Sequence, residues 1–340
     1  MKTFGVALLG AGRMGMEHAR NLAGMPRARV IAVADPNLEA AELARILGRG
    51  ERTYARPEDA IADPAVEVVL ICTPTPTHAP LTELAARAGK AVFCEKPIAL
   101  DLMETLRVMA VVEETGIPFQ IGFQRRYDVA FADAKRRIES GALGQIEQFR
   151  AVGRDPAPPP LEYLKISGGI FCDQAIHDID IARFLVGEVE EVSVWGAVRV
   201  DPQIAEIGDA DTVTSLLRFQ NGALGVMENS RRAVYGYDVR SEVFGSGGKI
   251  VIDATPKTPL QQFGAGGVNT DHYYFFMDRF IDAYRLEIAA FFGSLEAGTK
   301  PTPGTRDAIE SLRIALAMTR SLHEKRPVKL SEMRLEGEGK

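Results

Sequence analysis

Gly10-Ala11-Gly12-Arg13-Met14-Gly15 constrains this chain more than any other stretch. It follows a short apolar run, Val6–Leu9, and opens a helical pattern that continues to about Leu22. Between a strand and a helix, glycines at this spacing have separate tasks. Gly10 permits a tight turn, Gly12 lets the backbone approach a pyrophosphate, and Gly15 lets helix and strand pack closely. The helix N-terminus, with Arg13 and Met14 in its first turn, offers unsatisfied N–H groups and a positive dipole end to phosphates. A second apolar run, Arg29–Ala34, ends in Asp35, at the spacing of the carboxylate that accepts hydrogen bonds from the ribose hydroxyls of a dinucleotide. That carboxylate would repel a 2′-phosphate, and neither Pro36 nor Asn37 is basic. NAD rather than NADP is therefore the expected cofactor. Gly245-Ser246-Gly247-Gly248-Lys249 lacks the spacing of a P-loop and leads into the apolar Ile250–Ile252, so a hairpin turn is expected there.

The first third of the chain alternates strand and helix patterns. Val66–Cys72 reads as a strand, Pro80–Ala88 as a helix, Ala91–Cys94 as a strand, Leu102–Glu114 as a helix and Phe119–Ile121 as a strand. That rhythm predicts βαβ units and a parallel sheet. After Gly122 the character changes. Asp155–Pro160 is a proline-rich loop. Asp211–Phe219 and Ala223–Asn229 flank Gln220-Asn221-Gly222, a hairpin signal, and Val192–Val200 and Val239–Phe244 also read as strands. The expected fold is an α/β Rossmann dinucleotide-binding domain over residues 1–121, then an α+β domain with an open, mainly antiparallel sheet over 122–340. The second domain is assigned substrate binding and oligomerisation. Near the end, Met277, Phe280, Ile281, Tyr284, Ile288, Phe291 and Phe292 form an apolar stripe at helical spacing, with Gly293 as its stop. Ile309, Leu312, Ile314 and Leu316 mark a second helix. These stripes read as core or interface, not as a cofactor box. The tail beyond Met333 is expected to fray.

Bulk properties exclude several classes. A length of 340 residues suits two domains. The net charge of −6, with no basic stripe, argues against a nucleic-acid partner. No apolar run approaches the ~20 residues of a membrane span. Cys72, Cys94 and Cys172 form no C-x-x-C pair, so neither a disulfide framework nor a zinc knuckle is expected. The first strand begins almost at Met1 and leaves no stretch for a signal peptide, so a cytoplasmic setting is expected.

Two segments carry chemistry. Phe93-Cys94-Glu95-Lys96-Pro97 ends the buried strand run Ala91–Cys94, and ligands of α/β sheets bind in the crevice outside the carboxyl ends of the strands. Lys96 would stand there. In the second segment, Ser167 to Asp180, Asp173 and His177 are spaced i,i+4 and share one helical face, with Asp180 a turn further on. Oxidising an alcohol moves a hydride from carbon and a proton from oxygen. His177 suits the base because an imidazole titrates near neutrality. Lys96 can donate to the substrate oxygen and stabilise developing alkoxide charge. Asp173 can hold a neighbouring hydroxyl and offset the lysine charge. His-x-x-Asp could also ligate a metal, but no matching set of further ligands is apparent, so no metal is expected.

On Glu95-Lys96-Pro97 and the Asp173…His177 pair, the chain resembles the glucose–fructose oxidoreductase / inositol dehydrogenase / MocA-like family over nearly its whole length. The resemblance implies a Rossmann domain joined to an open-sheet domain that supports dimers or tetramers, with a homotetramer expected here. Three segments are most similar to the inositol 2-dehydrogenases: Gly122 to Asp128, Ile176 to Asp180, and Ser230 to Asp238. By that resemblance the chain oxidises a ring CH–OH of a cyclic polyol, myo-inositol first. Scyllo-inositol or an aldose such as glucose is the alternative, and a non-catalytic NAD-binding regulator is a further one. Lys96, Asp173 and His177 would carry catalysis and also contact substrate. Gln124, Arg154 and Tyr235 would be further polyol contacts, with Gln124 standing where those enzymes often carry Met. Glu95, Lys96, Thr73 and His78 would lie on the cofactor side, the last two in Thr73-Pro74-Thr75-Pro76-Thr77-His78. The competing reading of that loop is a proline-stiffened turn with an exposed histidine.

Overall fold

The computed structural model describes residues 2–36, 46–47 and 51–333; Asn37 and the tail beyond Met333 lie outside them. Among the described residues, six strands run parallel: β1 (Phe4–Leu9), β2 (Ala28–Ala34), β3 (Arg52–Tyr54), β4 (Val68–Ile71), β5 (Ala91–Glu95) and β6 (Phe119–Gly122). Their order, β3-β2-β1-β4-β5-β6, is that of a doubly wound dinucleotide fold. The order reverses at β1, so the crevice opens where β1 and β4 end, beside the glycine loop. The central strands are apolar because both faces are covered: Val6, Leu8, Val68 and Leu70 are fully buried.

The chain divides into two units, but not at the expected boundary. The first holds residues 1–124 and also 282–310, and the second holds 125–281 and 311–340. The late segment belongs with the parallel sheet because its apolar stripe completes that core. Ile288, Phe291 and Phe292 are fully buried there, with the Phe292 ring 5.9 Å from Phe4 and the Phe291 ring 5.9 Å from Phe93. Burying such a side chain is worth about 1.5–3 kcal/mol. Ile281 falls outside the stripe, being 55% exposed. Gly293 does not stop the helix, which runs over Phe276–Ala297. A glycine within a helix is tolerated, and the left-handed residue that ends this one is Gly298, at φ 65°.

The second unit contains a seven-stranded sheet. Its strands are β7 (Ile146–Arg154), β8 (Val189–Ala197), β9 (Thr212–Phe219), β10 (Leu224–Ser230), β11 (Asp238–Gly245), β12 (Gly248–Ile252) and, after the hairpin β13 (Pro256–Gly264) and β14 (Gly267–His272), the short β15 (Val328–Lys329). The order is β12-β11-β7-β10-β9-β8-β15. It is a mixed sheet: β7 and β10 pair in parallel and the other neighbours are antiparallel. The turn at Gln220-Asn221-Gly222 closes β9 on β10 with Gly222 at φ 89°, and Gly245 to Gly248 closes β11 on β12, as the sequence predicts. The strand expected over Val192–Val200 lies three residues earlier, at Val189–Ala197. Its expected end is taken instead by a loop in which Arg199, Val200 and Asp201 donate backbone N–H groups to the Asp211 carboxylate. Alternation along β9 buries Val213, Ser215, Leu217 and Phe219 on one face and leaves Leu216 exposed on the other.

Candidate active site

The glycine loop is assembled by its own main-chain N–H groups. Gly10 donates its N–H to Ala34 O at 2.8 Å, and Ala11 donates to Asp35 Oδ2 at 2.7 Å, which holds the loop against the end of β2. Gly10 has φ 88°, open to glycine at little cost. A Cβ on Gly15 would stand 2.0 Å from Gly10 O, so the helix Arg13–Ala23 lies against the loop only because that Cβ is missing. At Gly12, by contrast, an added Cβ would meet no atom within 4 Å. The helix has no side-chain cap and no acidic residue in its first turn. Open space above Gly12, uncapped N–H groups and a carboxylate at Asp35 fit a dinucleotide's pyrophosphate and ribose. Arg13 is exposed and Met14 half-buried at this edge.

Lys96 is half-buried and leaves β5 through a cis Lys96–Pro97 bond. Its neighbours are braced from within the same unit. Glu95, expected to face the cofactor, instead turns its carboxylate inward: Oε1 lies 2.7 Å from Nε2 of the wholly buried His18. His78 is not the exposed residue of the competing reading. It is 2% exposed and begins the helix His78–Arg87, two residues before the expected start at Pro80. Its Nδ1 lies 2.8 Å from Pro97 O and its Nε2 2.6 Å from Thr73 O. Each ring nitrogen thus faces a carbonyl of one of the two loops, the neutral ring donating its single N–H to one of them, so His78 is a brace and not a group presented to a ligand. Burial holds its pKa below the usual imidazole value, opposed by the two carbonyls. Thr73 is half-buried and accepts from Thr77 Oγ1 at 2.6 Å. Gln124, at the end of this unit, is 3% exposed.

In the second unit, Asp173 lies in a π-helical turn, Phe171–Ala175, that feeds the helix Ile176–Leu185. Such a turn is rare and recurs at functional sites. Between Ile170 and Arg183, Asp173 and His177 alone are not buried. The two residues of the expected i,i+4 pair are thus the partly exposed positions of an otherwise buried element. Tyr163 Oη donates to Asp173 Oδ1 at 2.9 Å, and Arg231 Nη1 donates to Oδ2 at 2.9 Å.

The helix is held by ion pairs that sequence reasoning missed. Asp178 accepts from buried Arg125 and, at 2.7 Å, from Asn229 Nδ2. Asp180 is gripped in bidentate fashion by Arg126 at 2.6 and 2.9 Å. The segments that carry the family resemblance thus form one buried framework under His177, and no periodicity signals such pairing. Asp155, read only as the start of a loop, is half-buried beside this framework. Burial, reinforced by the Asp173 charge and opposed by Arg231, raises its pKa to about 6. Gln174 Nε2 donates to its Oδ2 at 2.7 Å. Arg154 and Tyr235 meet each other, Nη1 to Oη at 3.1 Å, and share Asp238. Burial raises the pKa of the Cys94 thiol, and Cys72, Cys94 and Cys172 form no disulfide.

Two family models match the chain. Residues 4–123 match the NAD-binding Rossmann fold of an oxidoreductase family, and residues 131–251 match the GFO/IDH/MocA C-terminal domain. The chain belongs to the GFO/IDH/MocA oxidoreductase family. Its first unit is accordingly an NAD-binding Rossmann domain and its second carries the family's C-terminal domain. It is similar to a myo-inositol 2-dehydrogenase of Thermotoga maritima, 42% identical over 96% of this chain and 99% of that protein. It is 40% identical to a scyllo-inositol 2-dehydrogenase (NAD(+)) of Bacillus subtilis, over 96% of both chains. A crystal structure described as a probable dehydrogenase from Thermotoga maritima superposes with a TM-score of 0.94 at 41% identity, covering 97% of this chain and all of that one. Among the described residues, no helix is long and apolar enough to cross a membrane.

Proposed function

We propose that this family member oxidises a ring CH–OH of a cyclic polyol, taking myo-inositol to its 2-keto product. The observation that carries the reading is that Asp173, on the π turn, and His177, on the helix it feeds, are the two half-buried positions of an otherwise buried segment, in a chain similar over nearly its whole length to an inositol dehydrogenase. We assign Lys96 of the first unit, with Asp173 and His177 of the second, as the catalytic set. NAD, held by the glycine loop and Asp35, supplies the hydride acceptor. His177 takes the hydroxyl proton as the C–H bond is broken, so its neutral form is required and oxidation slows as it protonates. Lys96 donates a hydrogen bond to the oxygen that becomes the carbonyl. Asp173 accepts from a neighbouring hydroxyl. Arg154, Tyr235 and Gln124 remain proposed polyol contacts, and Thr73 remains proposed for the cofactor side. Scyllo-inositol is the second reading, favoured by the likeness to the Bacillus subtilis enzyme.

The same chain is proposed to assemble as a homotetramer and to work in the cytoplasm. The exposed face of the mixed sheet supports the assembly: Leu216, Leu224 and Phe244 line a shallow groove of about 370 Å³ on it. Native mass spectrometry measures the copy number directly.

The decisive assay follows NADH absorbance with purified protein, NAD and a panel of myo-inositol, scyllo-inositol, D-chiro-inositol, glucose, galactose and xylose. Turnover with an inositol and not with the sugars is expected. Turnover with sugars alone would discard the substrate, and none with any, despite NAD binding, would favour a regulator. Lys96→Ala is expected to lower kcat about 100- to 1,000-fold while NAD still binds.

A further inference from the structure

Arg231 is the largest wholly buried side chain of the described residues, at 0% exposure. A guanidinium is seldom buried completely, because its desolvation is repaid only by well-placed carboxylates. An apolar side chain of the same volume would fill this position without that penalty. Its surroundings point to what the charge does. Its backbone N–H donates to Asp211 O at 2.8 Å, which anchors the residue just past the end of β10. Its Nη1 donates to Asp173 Oδ2 at 2.9 Å, and its Nη2 lies 3.8 Å from Asp209 Oδ2. Asp209 Oδ1 in turn accepts the N–H of Ile170, at the entry to the π turn, at 3.1 Å. The guanidinium therefore bridges the start of the π turn to the carboxylate in its middle. On the other side, Tyr163 Oη occupies Asp173 Oδ1 at 2.9 Å.

We propose that Arg231 is a positioning residue for the oxidation: it holds the Asp173 carboxylate in one orientation through Oδ2, with Tyr163 holding Oδ1. This rests on the assignment of Asp173 to the catalytic set. Because the two donors sit on different oxygens of the carboxylate, its plane is fixed from both sides. Asp173 thus meets its substrate already fixed and charge-compensated, so little reorganisation is left for the reactive complex.

The test uses the full chain with Arg231→Met, Arg231→Lys and Tyr163→Phe. Each is measured for kcat and KM with the polyol that the wild type oxidises, for NAD affinity by fluorescence quenching, and for the Asp173 rotamer by crystallography. Arg231→Met is expected to lower kcat about 100-fold with NAD affinity unchanged within about twofold, and Arg231→Lys to recover part of the loss. Should Arg231→Met fail to fold, Tyr163→Phe still decides the matter. Tyr163 is 47% exposed, so its hydroxyl can be removed without opening the core. A kcat fall of about fivefold in Tyr163→Phe is expected. The proposal is overturned if Arg231→Met keeps kcat within about threefold of wild type. It also fails if lost activity is matched by lost NAD affinity with no rescue by lysine, or if Asp173 is unmoved in the Arg231→Met crystal structure. If the wild type oxidises no polyol, the functional reading fails, and the crystallographic comparison still decides the tether.

Discussion

The glycine loop of the first unit and the Asp173 turn of the second are both shaped for binding, but they are held by opposite means. The loop is held through its own main chain: the Gly10 N–H on Ala34 O, the Ala11 N–H on the Asp35 carboxylate, and Gly15 close against Gly10. What it needs from its glycines is a missing Cβ, at Gly15 against Gly10 O and at Gly10 against the backbone of Cys72. The turn is held by side-chain charge from far along the chain. Arg231 is 58 residues from Asp173, and Arg125 is 53 residues from Asp178. A site made of backbone is sensitive to added atoms, and a site made of buried charge is sensitive to removed partners.

The added atom at Gly15 should have the largest effect. Gly15→Ala drives a Cβ into Gly10 O, so isothermal titration is expected to find NAD binding lost and thermal unfolding to find stability lost with it. Gly12→Ala should separate the two: stability changes by about 1 kcal/mol or less, because no protein atom is nearby, while NAD affinity falls about tenfold or more. If Gly12→Ala binds NAD as wild type does, the loop is not the phosphate cradle. Next comes partner removal. Asp178→Ala leaves Arg125 buried without its carboxylate and is expected to cost about 3–5 kcal/mol in urea unfolding. A loss typical of a surface ion pair would erase the contrast between the two regions.

A further effect depends on pH. The folded-state pKa of Asp155 is about 6, against an ordinary value of 3.8. Below pH 3.8 the group is neutral in both states and costs nothing; between pH 3.8 and about 6 the unfolded chain ionises while the fold still holds the proton, so stability falls by about 3 kcal/mol and levels off above about 6. Asp155→Asn lacks that ionisation. Its stability relative to wild type should therefore grow between pH 4 and pH 7, read as a widening gap in Tm. A constant gap would show that the framework around Arg231 already compensates the carboxylate.

Much of the fold was legible in the sequence. The βαβ rhythm, the glycine loop with Asp35, the hairpin at Asn221-Gly222 and the i,i+4 spacing of Asp173 and His177 are local patterns, and local patterns follow from dihedral preference and hydrophobic periodicity. The misses were not local. The stripe through Phe291 and Phe292 was recognised as core or interface, but nothing in it says that it completes the first unit's core. Glu95 ends its strand and His78 opens its helix, yet their side chains turn inward onto His18, Thr73 and Pro97.

By itself, then, the sequence determined where a dinucleotide would be held and which residues could move a proton, because those properties lie in residue type at short spacing. Tertiary structure alone decided which carboxylates are available. Asp173, Asp178 and Asp180 look alike along the chain, yet Arg125 and Arg126 take the last two into the interior, and Arg231 fixes the first at the surface. That choice depends on which distant guanidinium arrives within hydrogen-bond reach, and only the folded chain brings them there.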